Sequence, residues 1–280
     1  MPQIHPTAIV DSRAQLADDV FVGPYCVIEG EVRLGAGCHL VSHCFLKGPL
    51  VMGEKNTVYP FASIGAEPQD RRVDLAYAGP GTLIGDGNVF RENVTIHRGG
   101  KTRATTIGSR NYFMAYSHAA HDCLIGNDCN FANSSALAGH CEVGDRVIFG
   151  GGAGAQQFCR IGRMAFVAGN EGITRDLPPF CMVHHSRTVA SLNLIGLRRS
   201  GSRQSVDNVR SAFRILYRSG LSNTAAVARI RAELGHDPMC VEMADFVANS
   251  KQGITTYGNS KTFRVRGEKG NPAQSEEMAG

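Results

Sequence analysis

The sequence predicts an all-β parallel β-helix over residues 1–180, followed by a small α-helical domain over residues 190–255. Three observations carry that prediction. An apolar residue recurs every six positions, most cysteines stand in phase with that repeat, and the spacing turns helical beyond Asp176. The repeat starts at Ile4 and passes through Val10, Leu16, Val22 and Ile28 to Ile64. It resumes at Ile84, Phe90 and Ile96, then runs from Ile107 to Ile173. Each six-residue unit is a short strand plus a turn, and three units close one coil. Stacked coils bury their apolar residues in a narrow prism, at a strand spacing of roughly 4.8 Å. The two interruptions, 66–82 and 97–106, do not fit inside coils and are expected as loops thrown out of the prism. Loops held on a rigid scaffold are where function concentrates.

The composition suits such a prism. There is no Trp, aromatic content is 7%, and there are 33 glycines. Of nine cysteines, Cys26, Cys38, Cys44, Cys123, Cys129, Cys141 and Cys159 take the fifth slot of their units. Elsewhere that slot holds Ala or Ser, as at Ala62, Ser117, Ser135 and Ala153, so it is the small, inward position. A free cysteine there acts as a small hydrophobe. No Cys-x-x-Cys pair occurs, which leaves no case for a disulfide framework.

A net charge of +4 gives no footprint for nucleic acid. No apolar run approaches a membrane span, and the first residues lack a secretory pattern, so a soluble cytoplasmic protein is expected. The repeat stops at "DLPPF", where two prolines punctuate the chain. Three amphipathic helices are expected in 205–220, 222–235 and 237–250, with Ser205 as the cap of the first and Gly220 as its stop. Residues 256–280 hold few apolar side chains and read as a flexible tail.

The chemistry gathers around "YSHAAHDC", residues 116–123. His121 is the third residue of its unit. One coil on stands Gly139, and one more stands Gln157. His118, His121, Asp122, Gly139, His140 and Gln157 are therefore expected at one corner of the prism. A metal site would need about three ligands at fixed geometry, and here the column continues with Gly and Gln. General-base catalysis fits best: a histidine oriented by a neighbouring Asp takes a proton from a hydroxyl, beside a glycine N–H for an oxyanion.

The chain resembles the UDP-N-acetylglucosamine O-acyltransferases of lipid A synthesis. The resemblance rests on "IHPTAIV" (4–10), "FASIG" (61–65), "DLAYAG" (74–79), "NVTIHRG" (93–99), "HAAHDC" (118–123), "LAGH" (137–140), "QFCRIG" (157–162) and "LYRSG" (216–220). It implies a left-handed coil and a homotrimer with sites between subunits. It also implies transfer of a 3-hydroxyacyl chain from acyl carrier protein to the sugar 3-hydroxyl. No cofactor is implied beyond the phosphopantetheine that carries the donor, and no metal. Carried over residue by residue, His121 is the general base, Asp122 its orienting partner and Gly139 the oxyanion donor. Asp74, His118, His140 and Gln157 contact the sugar nucleotide, and Asn193 and Arg199 reach the nucleotide and its phosphates. Gly169 stands where the family sets acyl length and leaves the groove open. Arg198, Arg199, Arg203, Arg210, Arg214 and Arg218 offer a basic face to the acidic carrier protein.

Three positions depart from the family pattern. Ala76 stands where the family carries a lysine facing the acceptor's phosphates, with Arg71 or Arg72 as candidate replacements. Gln156 replaces a histidine, and Ile195 replaces an acidic residue. All three fall on acceptor binding, which suggests as an alternative a paralogue acting on another UDP-sugar or on a secondary metabolite.

Overall fold

A computed structural model of the chain describes residues 1–258 apart from Leu75, His185 and Ser186. The six-residue repeat winds into a parallel β-solenoid of about ten coils with four helices near its C-terminal end. Two-residue strands predominate, and each pairs with the strand one coil away. Three parallel sheets form the faces of the prism. The usual step is 18 residues, as in Gln3 to Phe21 and Ala119 to Leu137. It widens to 32 where Val58 pairs with Phe90, and to 23 where Phe90 pairs with Phe113. The extra residues leave as two excursions, one between the strands Ser63–Ala66 and Thr82–Ile84, the other between Thr95–His97 and Thr105–Ile107.

The apolar residue of each unit points inward, and most of these positions are fully buried. The prism interior is more aromatic than the composition suggested. Phe90, Phe113, Phe131 and Phe149 stack through four successive coils at 5.2, 4.6 and 5.4 Å between ring centroids. Near-parallel stacking fits flat rings at the coil spacing, which a six-residue period alone cannot distinguish from aliphatic packing. All nine cysteines are buried and free. The fifth slot also holds an unanticipated polar ladder. Asn56 Oδ1 accepts from the Asn88 N–H and amide at 2.8 and 2.9 Å, Asn88 Oδ1 from the Asn111 N–H at 2.9 Å, and Asn111 Oδ1 from the Cys129 N–H at 2.8 Å. The ladder spans the coils that throw out both excursions, so buried amides supply backbone partners where the period breaks.

The corners need left-handed backbone. Asp122, His140 and Phe158 stack along one of them at φ values of 60°, 61° and 69°. Asp tolerates that region because its short side chain can bond locally, whereas a bulky residue there needs the fold to impose it.

Beyond the coils, helix α1 spans Leu194–Ser200, α2 Arg203–Arg218, α3 Asn223–Leu234 and α4 Pro238–Ala248. Helix α1 was not anticipated; seven residues are too short to show a period. Ser202, not Ser205, caps α2: its hydroxyl accepts from the Ser205 N–H. The first residues of the segment expected as a tail from residue 256 are held in place. Tyr257 bridges Val189, and Ile254 bridges Asp176, which returns the chain to the end of the prism. Residues 259–280 of that tail lie outside the described residues.

Candidate active site

The pairings Thr95–His118 and Ala119–Leu137 place the site where a regular face meets the corner that both excursions adjoin. His121 and Asp122 are 8% and 1% exposed. His121 Nδ1 lies 2.7 Å from Asp122 Oδ2. A carboxylate can only accept, so Nδ1 carries the hydrogen and the Nε2 lone pair is left free. Asp122 is itself held by the second excursion. Its Oδ2 accepts from the Gly100 N–H at 2.8 Å. Its Oδ1 accepts from the Thr102 hydroxyl at 2.8 Å and from the Thr102 and Arg103 N–H groups at 3.2 and 3.1 Å. Burial alone would push this carboxyl up. The Gly100 N–H, the His121 imidazole, Thr102 and Arg103 outweigh it and hold Asp122 well below the usual carboxylate range.

Arg103 straps the corner together. Its Nε donates to the Asp122 carbonyl at 2.7 Å, and one Nη reaches Glu142 at 2.8 Å. Gly139 sits against the imidazole: a Cβ there would lie 2.7 Å from His121 Cε1 and 2.8 Å from Nε2. Only glycine permits that approach. Among the described residues the Gly139 N–H donates to no acceptor. His140 meets His121 edge to face at 5.1 Å and stacks on Phe158 at 4.7 Å. His118 Nδ1 lies 2.7 Å from the Thr95 hydroxyl. Burial pushes His118 and His140 down from the ordinary imidazole value. Gln157 is half-buried one coil beyond Gly139. His121, Asp122 and His140 each offer one atom within 4.8 Å of the others, a geometry that could hold an ion. The Asp122 carboxylate is already saturated by five donors, which argues against ligation.

Two further groups belong to this cluster and escaped the sequence reading. His97 is 6% exposed and edges onto His118 at 4.9 Å, and its buried Nδ1 has no hydrogen-bond partner among the described residues. Burial, then the neighbouring His118 and His121, push it down to about 4. The signal was present, since His97 lies one 23-residue step before Ala120. Asp70 is the second. Arg72 donates to it at 2.9 and 3.0 Å and holds it down to about 2, and its charge also reaches His121 and His140.

Other expected residues stand elsewhere. Asp74 is exposed on the first excursion and accepts from the Ala76 N–H at 2.9 Å, closing a local turn. Asn193 caps α1: its Oδ1 accepts from the Gly196 N–H and its amide donates to the Met164 carbonyl, both at 3.0 Å. Arg199 and Gly169 are exposed, and neither is drawn to the imidazoles within one chain. Arg198, Arg203 and Arg210 line one cavity of about 400 Å³ among the helices.

Comparisons with known proteins identify the family. Residues 176–255 match the family described as UDP N-acetylglucosamine O-acyltransferase, domain 2. The acyl-[acyl-carrier-protein]–UDP-N-acetylglucosamine O-acyltransferase of Syntrophobacter fumaroxidans is 47% identical over 262 residues, covering 90% of this chain and 99% of its own. Its counterpart in Halorhodospira halophila is 43% identical over 263 residues, covering 91% and 99%. Among solved structures, the UDP-N-acetylglucosamine acyltransferase of Francisella novicida superposes with a TM-score of 0.89 at 33% identity, over 93% of this chain and 96% of that one. The Arabidopsis enzyme gives 0.75 at 31%, over 90% and 100%. The chain is thus an enzyme, an O-acyltransferase built on hexapeptide coils. It belongs to the UDP-N-acetylglucosamine O-acyltransferase family.

Proposed function

We propose that the protein transfers a 3-hydroxyacyl chain from acyl carrier protein to the 3-hydroxyl of UDP-N-acetylglucosamine, the first step of lipid A synthesis, with His121 as general base. The observation that carries the mechanism is the Nδ1–Asp122 hydrogen bond, which leaves Nε2 free beside Gly139. Nε2 takes the hydroxyl proton as the sugar oxygen attacks the thioester carbonyl. The oxyanion accepts from the Gly139 N–H. The intermediate collapses with cleavage of the C–S bond, and the imidazolium returns its proton to the departing thiolate. Asp122 stays ionised throughout and stabilises the imidazolium, as its many donors favour.

In this scheme Asp74, His118, His140 and Gln157 contact the sugar nucleotide, and Asn193 and Arg199 serve its phosphates across a subunit boundary in a homotrimer. For Asn193 that means a side chain released from its present partners, because its amide donates to the Met164 carbonyl and its Oδ1 caps α1. Beyond His118 the outward positions in register are Ala136, Gly154 and Gly172, and Gly169 follows Gly151 at the adjacent corner. A lane of Ala and Gly supports an acyl groove that Gly169 leaves open. The exposed Arg198 and Arg203, beside the Arg210–Asp207 pair, offer the acidic carrier protein a basic face. Among the described residues no helix is long and apolar enough to cross a membrane. We place the reaction in the cytoplasm, where acyl carrier protein supplies the donor.

The second reading, another acceptor, is favoured by Ala76, Gln156 and Ile195, all exposed here. One assay separates the two. Purified protein is given 3-hydroxyacyl-carrier protein with UDP-N-acetylglucosamine, or with other UDP-sugars, and products are read by mass spectrometry. The first reading expects the 3-O-acyl product of UDP-N-acetylglucosamine as the main species. Turnover confined to a different acceptor would replace it with the second.

A further inference from the structure

A charged network at the roots of the two excursions takes no part in the acyl-transfer scheme. Glu67 follows the strand that ends at Ala66, and Arg98 follows the strand that ends at His97. The Arg98 side chain is 2% exposed, and one Nη lies 3.1 Å from Glu67 Oε1. The other Nη donates to the Tyr77 carbonyl at 2.8 Å. The Arg98 N–H donates to the Ala66 carbonyl at 2.9 Å. One residue of the second excursion thus holds both the root of the first excursion and a point ten residues along it. Glu67 is braced from the other side by Lys47 at 2.8 Å, which also reaches Glu29 at 2.9 Å. Burial pushes Glu67 up, but Lys47 and Arg98 overcome it and hold the carboxyl down to about 2.

Among the described residues, the middle of the first excursion is mostly exposed. Val73 is 8% exposed and lies against Gly100, where an added Cβ would sit 3.5 Å from it. Arg71, Arg72, Asp74 and Ala76 are all exposed. Yet through Val73 this loop lies against Gly100, whose N–H bonds the Asp122 carboxylate beside His121. A loop with little buried surface opens easily unless a specific contact holds it.

We propose that Arg98 and Glu67 form a positioning clasp that keeps the first excursion over the His121 corner and thereby sets acceptor affinity, leaving the transfer step to His121. The clasp rests on the acceptor reading given above. Lys47 still faces Glu67 when Arg98 is changed, so no buried carboxylate is stranded.

The test uses Arg98→Met, Arg98→Lys and Glu67→Gln in the full chain. Arg98→Met is expected to raise KM for UDP-N-acetylglucosamine by about tenfold or more, with kcat held within about threefold and KM for the acyl donor unchanged. Arg98→Lys restores part of that loss. A fall in kcat at unchanged acceptor KM would overturn the clasp, as would wild-type KM in both Arg98→Met and Glu67→Gln. A second readout needs no substrate: trypsin cuts after the exposed Arg71 and Arg72. Cleavage is expected to quicken about tenfold in Arg98→Met and measurably in Glu67→Gln, and wild-type rates in both would overturn the proposal. If Arg98→Met fails to fold, Glu67→Gln carries both measurements. If the wild-type protein does not acylate UDP-N-acetylglucosamine, the functional reading falls, and the trypsin comparison still decides the clasp.

Discussion

Two corners of the same prism share a backbone and differ in everything else. One stacks Asp122, His140 and Phe158, and the other stacks Arg110, Asp128 and Arg146, all at φ between 58° and 69°. At the second corner Arg110 and Asp128 pair at 2.7 Å with side chains 63% and 37% exposed. Water competes for both, so the pair is worth little. At the first corner an equivalent Asp receives five hydrogen bonds, four of them from an excursion. The coil supplies geometry at both corners. Chemistry arises only where an inserted loop excludes water and fixes a carboxylate against an imidazole.

That contrast can be broken at the first corner and checked at the second. The largest effect is expected from His121→Ala, which should cut kcat by about 10²–10⁴ with little change in Tm, since the imidazole is removed from a turn rather than from the prism interior. Gly139→Ala comes next. Its Cβ would fall 2.7 Å from the His121 ring, so the imidazole must turn away from the reacting centre. A loss of about 10²-fold in kcat at near-normal acceptor KM is expected from steady-state kinetics.

The third effect is on stability and comes from His97. Its folded value of about 4 lies below the ordinary 6.5, so the unfolded chain binds the extra proton first. Stability is therefore lost as pH falls from 6.5 towards 4, and His118 and His140, pushed down by the same burial, add to the loss. His97→Gln should lessen the fall in Tm between pH 7.5 and 4.5, while the wild-type fall persists in a variant at an exposed histidine such as His5. The smallest effect is expected at the second corner. Arg110→Ala should change stability by less than about 0.5 kcal/mol and leave kcat unchanged.

The sequence revealed the coils because inward positions obey one period, and it revealed the His121 column because adding 18 to His121 reaches Gly139. The excursions were visible only as gaps. A gap says that chain leaves the prism and not where it goes, so Asp70, Arg103 and the Arg98–Glu67 contact were out of reach. Asp74 was placed at the acceptor by resemblance, and within one chain it closes a local turn on the exposed first excursion. His97 was missed for a different reason: the insertion between coils widens its step from 18 to 23. The cap that Asn193 makes was not foreseen, because α1 is too short to leave a period. The phenylalanine stack was hidden because the repeat asks only for an apolar residue of sufficient size.

The most direct test of the central claim, that His121 is the base held by Asp122, is single-turnover acyl transfer by His121→Ala with and without added imidazole. The account predicts a rate lower by about 10²–10⁴ that free imidazole partly restores, because the missing group is a proton acceptor beside an intact oxyanion site. A variant that transfers the acyl chain at the wild-type rate without imidazole would contradict it.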